Sequence, residues 1–219
     1  QEYFKYKLYF DTIIQIPFNN FSSIQITNLN EYLLNAKDTL ETNIYGHKKT
    51  KQYIIQVLTQ FITNPNSIGN IFGLVGPMGT GKTTFVKNIS SILQRPLEII
   101  NLSGTQDVSF LEGHSFTYEG AKYGKILNTL IKHNTMDPII FFDEVDKISK
   151  TEKGYELENL LINLIDVTQN YNFSDKYFQE ITLDLSKITF IFSYNDSSFI
   201  NKILKDRIYE IVIEGYSFD

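Results

Sequence analysis

The chain has 219 residues, 42% of them hydrophobic and 21% charged, a globular balance with room for one α/β domain and a sizeable core. Its formal charge of −5 offers no broad attraction to a phosphate backbone and argues against nucleic acid as a partner. The absence of cysteine removes disulfides, thiolate catalysis and thiolate zinc sites, and fits a reducing compartment. His47, His114 and His133 are scattered and make no ligand cluster. No apolar run approaches the 18 or so residues of a membrane span, and the N-terminus lacks the layout of a signal peptide. The expectation is a soluble, intracellular protein with no membrane partner. The first residue is Gln1 rather than Met, which reads as a piece cut from a longer chain.

In chain order, residues 1–40 carry aromatic and aliphatic side chains around Pro17 and then a polar stretch; they read as an N-terminal arm or a partial neighbouring domain. One domain is expected over 41–219. Tyr53, Ile54, Val57, Leu58, Phe61 and Ile62 line one face of a helix running from about Gly46 until Pro65 stops it. Ile71 to Val75 is a short apolar run suited to a buried parallel strand. It leads into Gly76-Pro77-Met78-Gly79-Thr80-Gly81-Lys82-Thr83, which fits the phosphate-binding pattern G-x-x-x-x-G-K-[ST], and Phe85, Ile89, Ile92 and Leu93 then recur at helical spacing. Glycines let such a loop curl so that successive N–H groups face phosphate oxygens, and the helix that opens there adds the positive end of its dipole. Lys82 supplies a point charge for the β and γ phosphates. Thr83 offers a hydroxyl to Mg²⁺, an ion that keeps most of its waters, and Thr84 completes the nucleotide-binding set.

Leu97 to Leu102 reads as the next strand, a glycine-containing connection follows to Lys122, and Ile126, Leu127, Leu130 and Ile131 mark a helix. Ile139-Ile140-Phe141-Phe142-Asp143-Glu144 is then a buried strand delivering two carboxylates at its end, where ligands bind in open parallel sheets. Asp143 is suited to hold Mg²⁺ through water, and Glu144 to polarise the water attacking a γ-phosphate. Leu157, Leu160, Leu161, Leu164 and Ile165 give another core helix, and Ile188 to Ser193 another strand ending in Tyr194-Asn195. By position alone Asn195 is either an orienter of that water or a turn residue. A short helical turn over Ile203 to Asp206 precedes Arg207, and Ile208 to Ile213 reads as the last strand. The alternation predicts a three-layer α/β fold of the P-loop NTPase kind, with a mainly parallel five-stranded sheet preceded by a short arm.

Several strings beyond the two nucleotide motifs resemble the ATPase module of Lon-type AAA+ proteases. They are Asn43-Ile44-Tyr45-Gly46, the stretch Gly113 to Ala121, Asp137 through Ile148, Leu183 to Ile188, and Leu204 through Tyr216. The resemblance covers roughly residues 43 to 216. It implies an AAA+ ATPase that binds ATP and Mg²⁺ and assembles with itself into a ring, usually of six, whose hydrolysis unfolds protein substrates and passes them through a central pore. It places Tyr45 and Gly46 at the adenine edge, makes Asn195 the sensor that positions water, and makes Arg207 an arginine finger completing the neighbour's site. Tyr118 becomes a substrate-gripping pore-loop residue. Without the family, Arg207 reads as a surface charge and Tyr118 as a core or turn tyrosine. The chain departs from the family at Glu119, where an aliphatic residue is usual, and at Ser115-Phe116, where a basic pair is usual. By the same comparison the helical lid and the Ser-Lys protease domain fall outside the chain, and the compartment is cytoplasm or mitochondrial matrix. Two alternatives keep the nucleotide site: a loader or remodelling ATPase acting on DNA or protein complexes without proteolysis, and a nucleotide-gated binding module.

Overall fold

The computed structural model describes residues 2–22, 26–64, 71–104, 107–118 and 120–215. Three helices come first: α1 (Glu2–Ile14), α2 (Leu29–Asn43) and α3 (Lys48–Thr63). Strand β1 (Ile71–Val75), helix α4 (Lys82–Leu93) and strand β2 (Leu97–Asn101) follow, then the one-turn α5 (Ser109–Glu112), α6 (Lys125–His133) and β3 (Ile139–Asp143). After α7 (Glu152–Ile165) come two short strands, β4 (Phe173–Ser174) and β5 (Thr182–Leu183). The described chain closes with β6 (Thr189–Tyr194), α8 (Lys202–Lys205) and β7 (Tyr209–Val212).

Five strands form one sheet in the order β2-β3-β6-β1-β7, every neighbouring pair parallel. Strands buried on both faces are continuous apolar runs, as β3 and β6 are, and the two-residue period of the backbone then divides their side chains between two cores. Ile140, Phe142, Phe190 and Phe192 join α6 and α7 on one face. Ile139, Phe141 and Ile191 join Phe72, Leu74 and helices α2, α3 and α4 on the other. That is the expected three-layer fold, with all five strands parallel. β1 ends at Val75 opposite Tyr194, and β2 ends at Asn101 opposite Asp143, so this register brings the functional strand ends to one edge.

The N-terminal residues are tied to this body at several points. The expected boundary near residue 40 falls inside α2, whose Ala36 and Leu40 are buried in the second core. Asn28 caps α2, its Oδ1 accepting from the Asn30 and Glu31 amides at 3.1 and 3.4 Å, and the Tyr32 hydroxyl donates to the carbonyl of Ile92 on α4. Further upstream, Asn20 O accepts from Met136 N at 2.7 Å, and Ser22 N donates to Asp137 Oδ1 at 2.8 Å. The pair β4 and β5 is antiparallel and forms a second, two-stranded sheet. Each strand has two residues, too few for a period to show in sequence.

Candidate nucleotide-binding site

β1 delivers the chain into the phosphate loop at the centre of the sheet. Gly76 N donates to Tyr194 O at 3.3 Å, and a Cβ on Gly76 would lie 2.1 Å from Ile213 O, so close approach demands glycine there. Gly79 and Gly81 serve differently. Their φ values of +78° and +85° are in the left-handed region, and the space beside Gly79 is open to 4 Å. Thr80, 3% exposed, donates from Oγ1 to Pro77 O at 2.9 Å and closes the loop across itself. α4 starts at Lys82 and is seated by the fully buried Phe85 and Val86. The Lys82 ammonium donates to Gly76 O (2.6 Å), Pro77 O (3.0 Å) and Asn195 Oδ1 (2.9 Å). Burial pushes its pKa below the usual lysine value, against the pull of Asp143, Asp146 and Glu144.

The acidic side comes from the end of β3. Asp143 Oδ1 accepts from the Ser193 hydroxyl and from Glu144 N at 3.1 Å. Glu144 has a left-handed backbone (φ 59°), which turns the chain away from the strand and aims its carboxylate sideways. That carboxylate pairs with Lys147 and accepts from Asn101 Nδ2 at 3.4 Å. The Lys147 ammonium holds Glu144 below the ordinary carboxylate range. Asp146 Oδ2 accepts from Asn195 N at 3.0 Å, while its Oδ1 is buried without a hydrogen-bond partner among the described residues.

Lys82, Thr83, Thr84, Asp143, Glu144, Asp146 and Asn195 line one cleft of about 410 Å³, with Met78, Gly79 and Gly81 on its loop side. A larger cleft of about 780 Å³ is lined by Tyr45, Gly46, His47 and residues of α3 and β7 through Gly215. Pro77 of the phosphate loop stands near the larger cleft, its Cγ 3.8 Å from where a Cβ on Gly215 would lie. Arg207 and Tyr118 line neither cleft. Arg207 pairs with Asp166 Oδ2 at 2.9 Å and donates to Ile162 O at 3.3 Å. Tyr118 is 67% exposed on its loop, and Glu119 beside it lies outside the described residues. Ser193 and Asp146 are the site residues that sequence reasoning passed over: Ser193 orients Asp143 and Asp146 fixes the backbone of Asn195. For Asp146 a signal exists in the D-E-x-D spacing; for Ser193 it lies only in the pairing of β3 with β6.

The donor set suits a hard, small cation bound beside phosphates. A hydroxyl (Thr83) and carboxylates (Asp143, Asp146) face one cleft, with one carboxylate oxygen unpartnered. Among the described residues no group of three or more His, Cys, Asp or Glu converges into a full protein cage. Mg²⁺ needs no such cage, since water and substrate phosphates complete its shell.

A curled amide loop that also holds a lysine and opens a helix, facing carboxylates across the carboxyl ends of a parallel sheet, suits a nucleoside polyphosphate. The class is therefore that of the phosphate-loop nucleotide-binding proteins. The model of the ATPase family associated with various cellular activities (AAA) matches residues 72–216, about two thirds of the chain, and the chain belongs to that family of ATP-hydrolysing enzymes. It is similar to a Lon protease homolog of Acanthamoeba polyphaga mimivirus (41% identical, over 98% of this chain and 22% of the relative). It is also similar to the Lon protease of Clostridioides difficile strain 630 (36%, 95% and 26%) and to the human mitochondrial Lon protease homolog (35%, 95% and 21%). The chain spans roughly a fifth to a quarter of the length of these relatives, and the matched part is their AAA module. Among the described residues no helix is long and apolar enough to cross a membrane.

Proposed function

We propose that this chain is the motor segment of a Lon-like machine, hydrolysing ATP to unfold and translocate protein substrates in a ring of six subunits. The observation that carries the reading is the convergence of Lys82, Asn195, Asp143 and Glu144 on one cleft. ATP places its base in the larger cleft beside Tyr45 and Gly46 and its phosphates on the Gly76–Thr84 loop. Lys82 exchanges the carbonyls of Gly76 and Pro77 for phosphate oxygens. Thr83 and Asp143 would hold Mg²⁺, Asp143 largely through water, and the ion would supply charge neutralisation at the phosphates. Glu144 accepts the proton of the attacking water. Its pairing with Lys147 keeps it ionised. Asn195, fixed by Asp146, orients that water.

Arg207 lines neither cleft of its own subunit, which supports a role in the neighbour's site, where a guanidinium stabilises the transferring phosphoryl group. Tyr118, exposed on its loop, grips the polypeptide. The names of the relatives support a proteolytic parent, and that of the human relative supports a mitochondrial one, with the cytoplasm as the alternative the family resemblance implies.

The test is the ATPase rate per subunit against protein concentration for the native-length parent, with Arg207→Ala and Glu144→Gln beside it. The rate rises with concentration, and Arg207→Ala lowers it about a thousandfold. Glu144→Gln keeps ATP binding and lowers turnover by about 10²- to 10⁴-fold. A flat, negligible rate with tight ATP binding would replace the motor by a nucleotide-gated binding module.

A further inference from the structure

Away from the nucleotide clefts, a dense cluster of rings joins α1 to the loop that carries Tyr118. Phe116, two residues before Tyr118, is half-buried against the first core. Its ring centroid lies 5.6 Å from Tyr6, 4.9 Å from Tyr9 and 5.3 Å from Tyr177, the last two edge-on, the arrangement ring quadrupoles favour. Lys5 Nζ stands 4.4 Å over the same ring. Tyr9 continues the cluster to Phe178 at 4.7 Å. The socket of Phe116 is therefore built half from α1 and half from residues 177–178.

The feet of the loop are tied to the rest of the chain by hydrogen bonds, the tip is not. His114 N donates to Lys122 O at 3.0 Å, and Gly124 N to Asp175 Oδ2 at 2.8 Å. Closer to the tip the described bonds are local: Tyr118 N to Ser115 O (3.0 Å), Ala121 N to Tyr118 O (3.3 Å), and a 3.0 Å contact between the Ser115 and Thr117 hydroxyls. None of these reaches another element. Phe116 does, and through it the direction of the tip depends on where α1 lies. α1 is also outside residues 72–216, the part matched by the family model.

The geometry points to α1 as the positioning element of the Tyr118 loop, with Tyr9 and Phe116 as the coupling pair: the helix sets the pose in which Tyr118 meets a polypeptide. The substrate half of this rests on the reading of Tyr118 under the proposed function; the docking half does not.

Hydrogen exchange on the native-length parent separates the two. Tyr9→Ala raises exchange of the Tyr118 and Ala121 amides about tenfold while the Phe85 amide of α4 keeps its rate, and Tyr9→Phe, which retains the ring, behaves as the unaltered protein. In the same preparation Tyr9→Ala raises the polypeptide concentration giving half-maximal stimulation of ATP turnover severalfold and leaves ATP affinity unchanged. Loop amides at their unaltered rate in Tyr9→Ala, or rising only together with Phe85, would overturn the docking and with it the inference. If Tyr118→Ala leaves polypeptide stimulation intact while the exchange result stands, the reading of Tyr118 fails, and with it the purpose assigned to the socket.

Discussion

Two loops leave the sheet from the carboxyl ends of strands, one after β1 with the phosphate cradle and one after β2 with Tyr118, and they are closed by different physics. Each is pinched at a glycine: a Cβ on Gly76 would meet Ile213 O at 2.1 Å, and one on Gly124 would meet Leu111 O at 2.1 Å. Around Gly76 main chain ties to main chain, with Ile213 N donating to Val75 O at 2.7 Å and Gly76 N to Tyr194 O, and Gly76 O accepts from Lys82 Nζ as well. Around Gly124 the tie is a buried side chain, Asp175, whose two oxygens accept from Gly124 N and Tyr177 N at 2.8 and 2.9 Å. The strand ties of the first loop do not titrate. The second, beside its backbone bond from His114 N to Lys122 O, depends on a carboxylate that does.

The largest effect is expected where the main chain has no room to give. Gly76→Ala forces the phosphate loop off β7 and costs about 3 kcal/mol, at the upper end for overpacking a filled site, together with at least tenfold in ATP affinity. Urea unfolding and nucleotide titration measure both. Gly79→Ala separates strain from collision: the space beside Gly79 is open, so only its positive φ opposes the change, at about 1 kcal/mol. Equal losses at the two positions would mean that β7 yields and that the cradle is set by curl alone.

The buried carboxylate gives the second loop a pH dependence in the acid range. Burial raises the Asp175 pKa to about 6, against the pull of the Gly124 and Tyr177 amides. Unfolded, the group titrates near its ordinary 3.8, so between these values the folded chain binds more protons than the unfolded one. Its contribution to stability therefore falls as pH rises from about 4 to 6, by roughly 3 kcal/mol at most. Glu98 slopes the other way. Burial opposes its ionisation, but hydrogen bonds from Lys125, Lys132 and His133 outweigh that and hold it at about 2, so its stabilisation is complete above 4.5 and is lost as pH falls toward 2. Between 4.5 and 6 Asp175 is opposed by His47, whose pKa burial lowers from 6.5, so that its contribution rises with pH. Urea unfolding across that range isolates Asp175 as the difference in slope between the unaltered chain and Asp175→Asn; identical slopes would remove the proton from the account of this loop.

The same contrast explains what could be read from the residues alone. Continuous apolar runs such as Ile139 to Phe142 announce strands buried on both faces, and the glycine-lysine pattern announces the cradle, because both depend on neighbours in sequence. Gly76 reads there as one more flexible glycine, since its real constraint is Ile213, far along the chain. The helix α1 is hidden because Tyr3, Leu8, Phe10 and Ile14 are exposed while Tyr9 and Ile13 pack inward, leaving no single apolar stripe to recognise. Ser193 beside Asp143, and Asp166 beside Arg207, are contacts made by folding and carry no local mark.

The smallest expected effect tests the phosphate loop from within. Thr80 ties this loop to itself through Oγ1 and Pro77 O. Pro77 O also accepts from Lys82 Nζ at 3.0 Å, so losing the hydroxyl does not leave that carbonyl unpaired, and Thr80→Ala should cost only about 1 kcal/mol. If collisions and strand register shape the cradle, ATP affinity stays within a few-fold and Thr80→Ser restores the stability. If Thr80→Ala instead weakens ATP as far as Gly76→Ala does, the cradle depends on a side-chain latch just as the Tyr118 loop depends on Asp175, and the distinction between the two loops is one of chemistry at the latch rather than of how they are built.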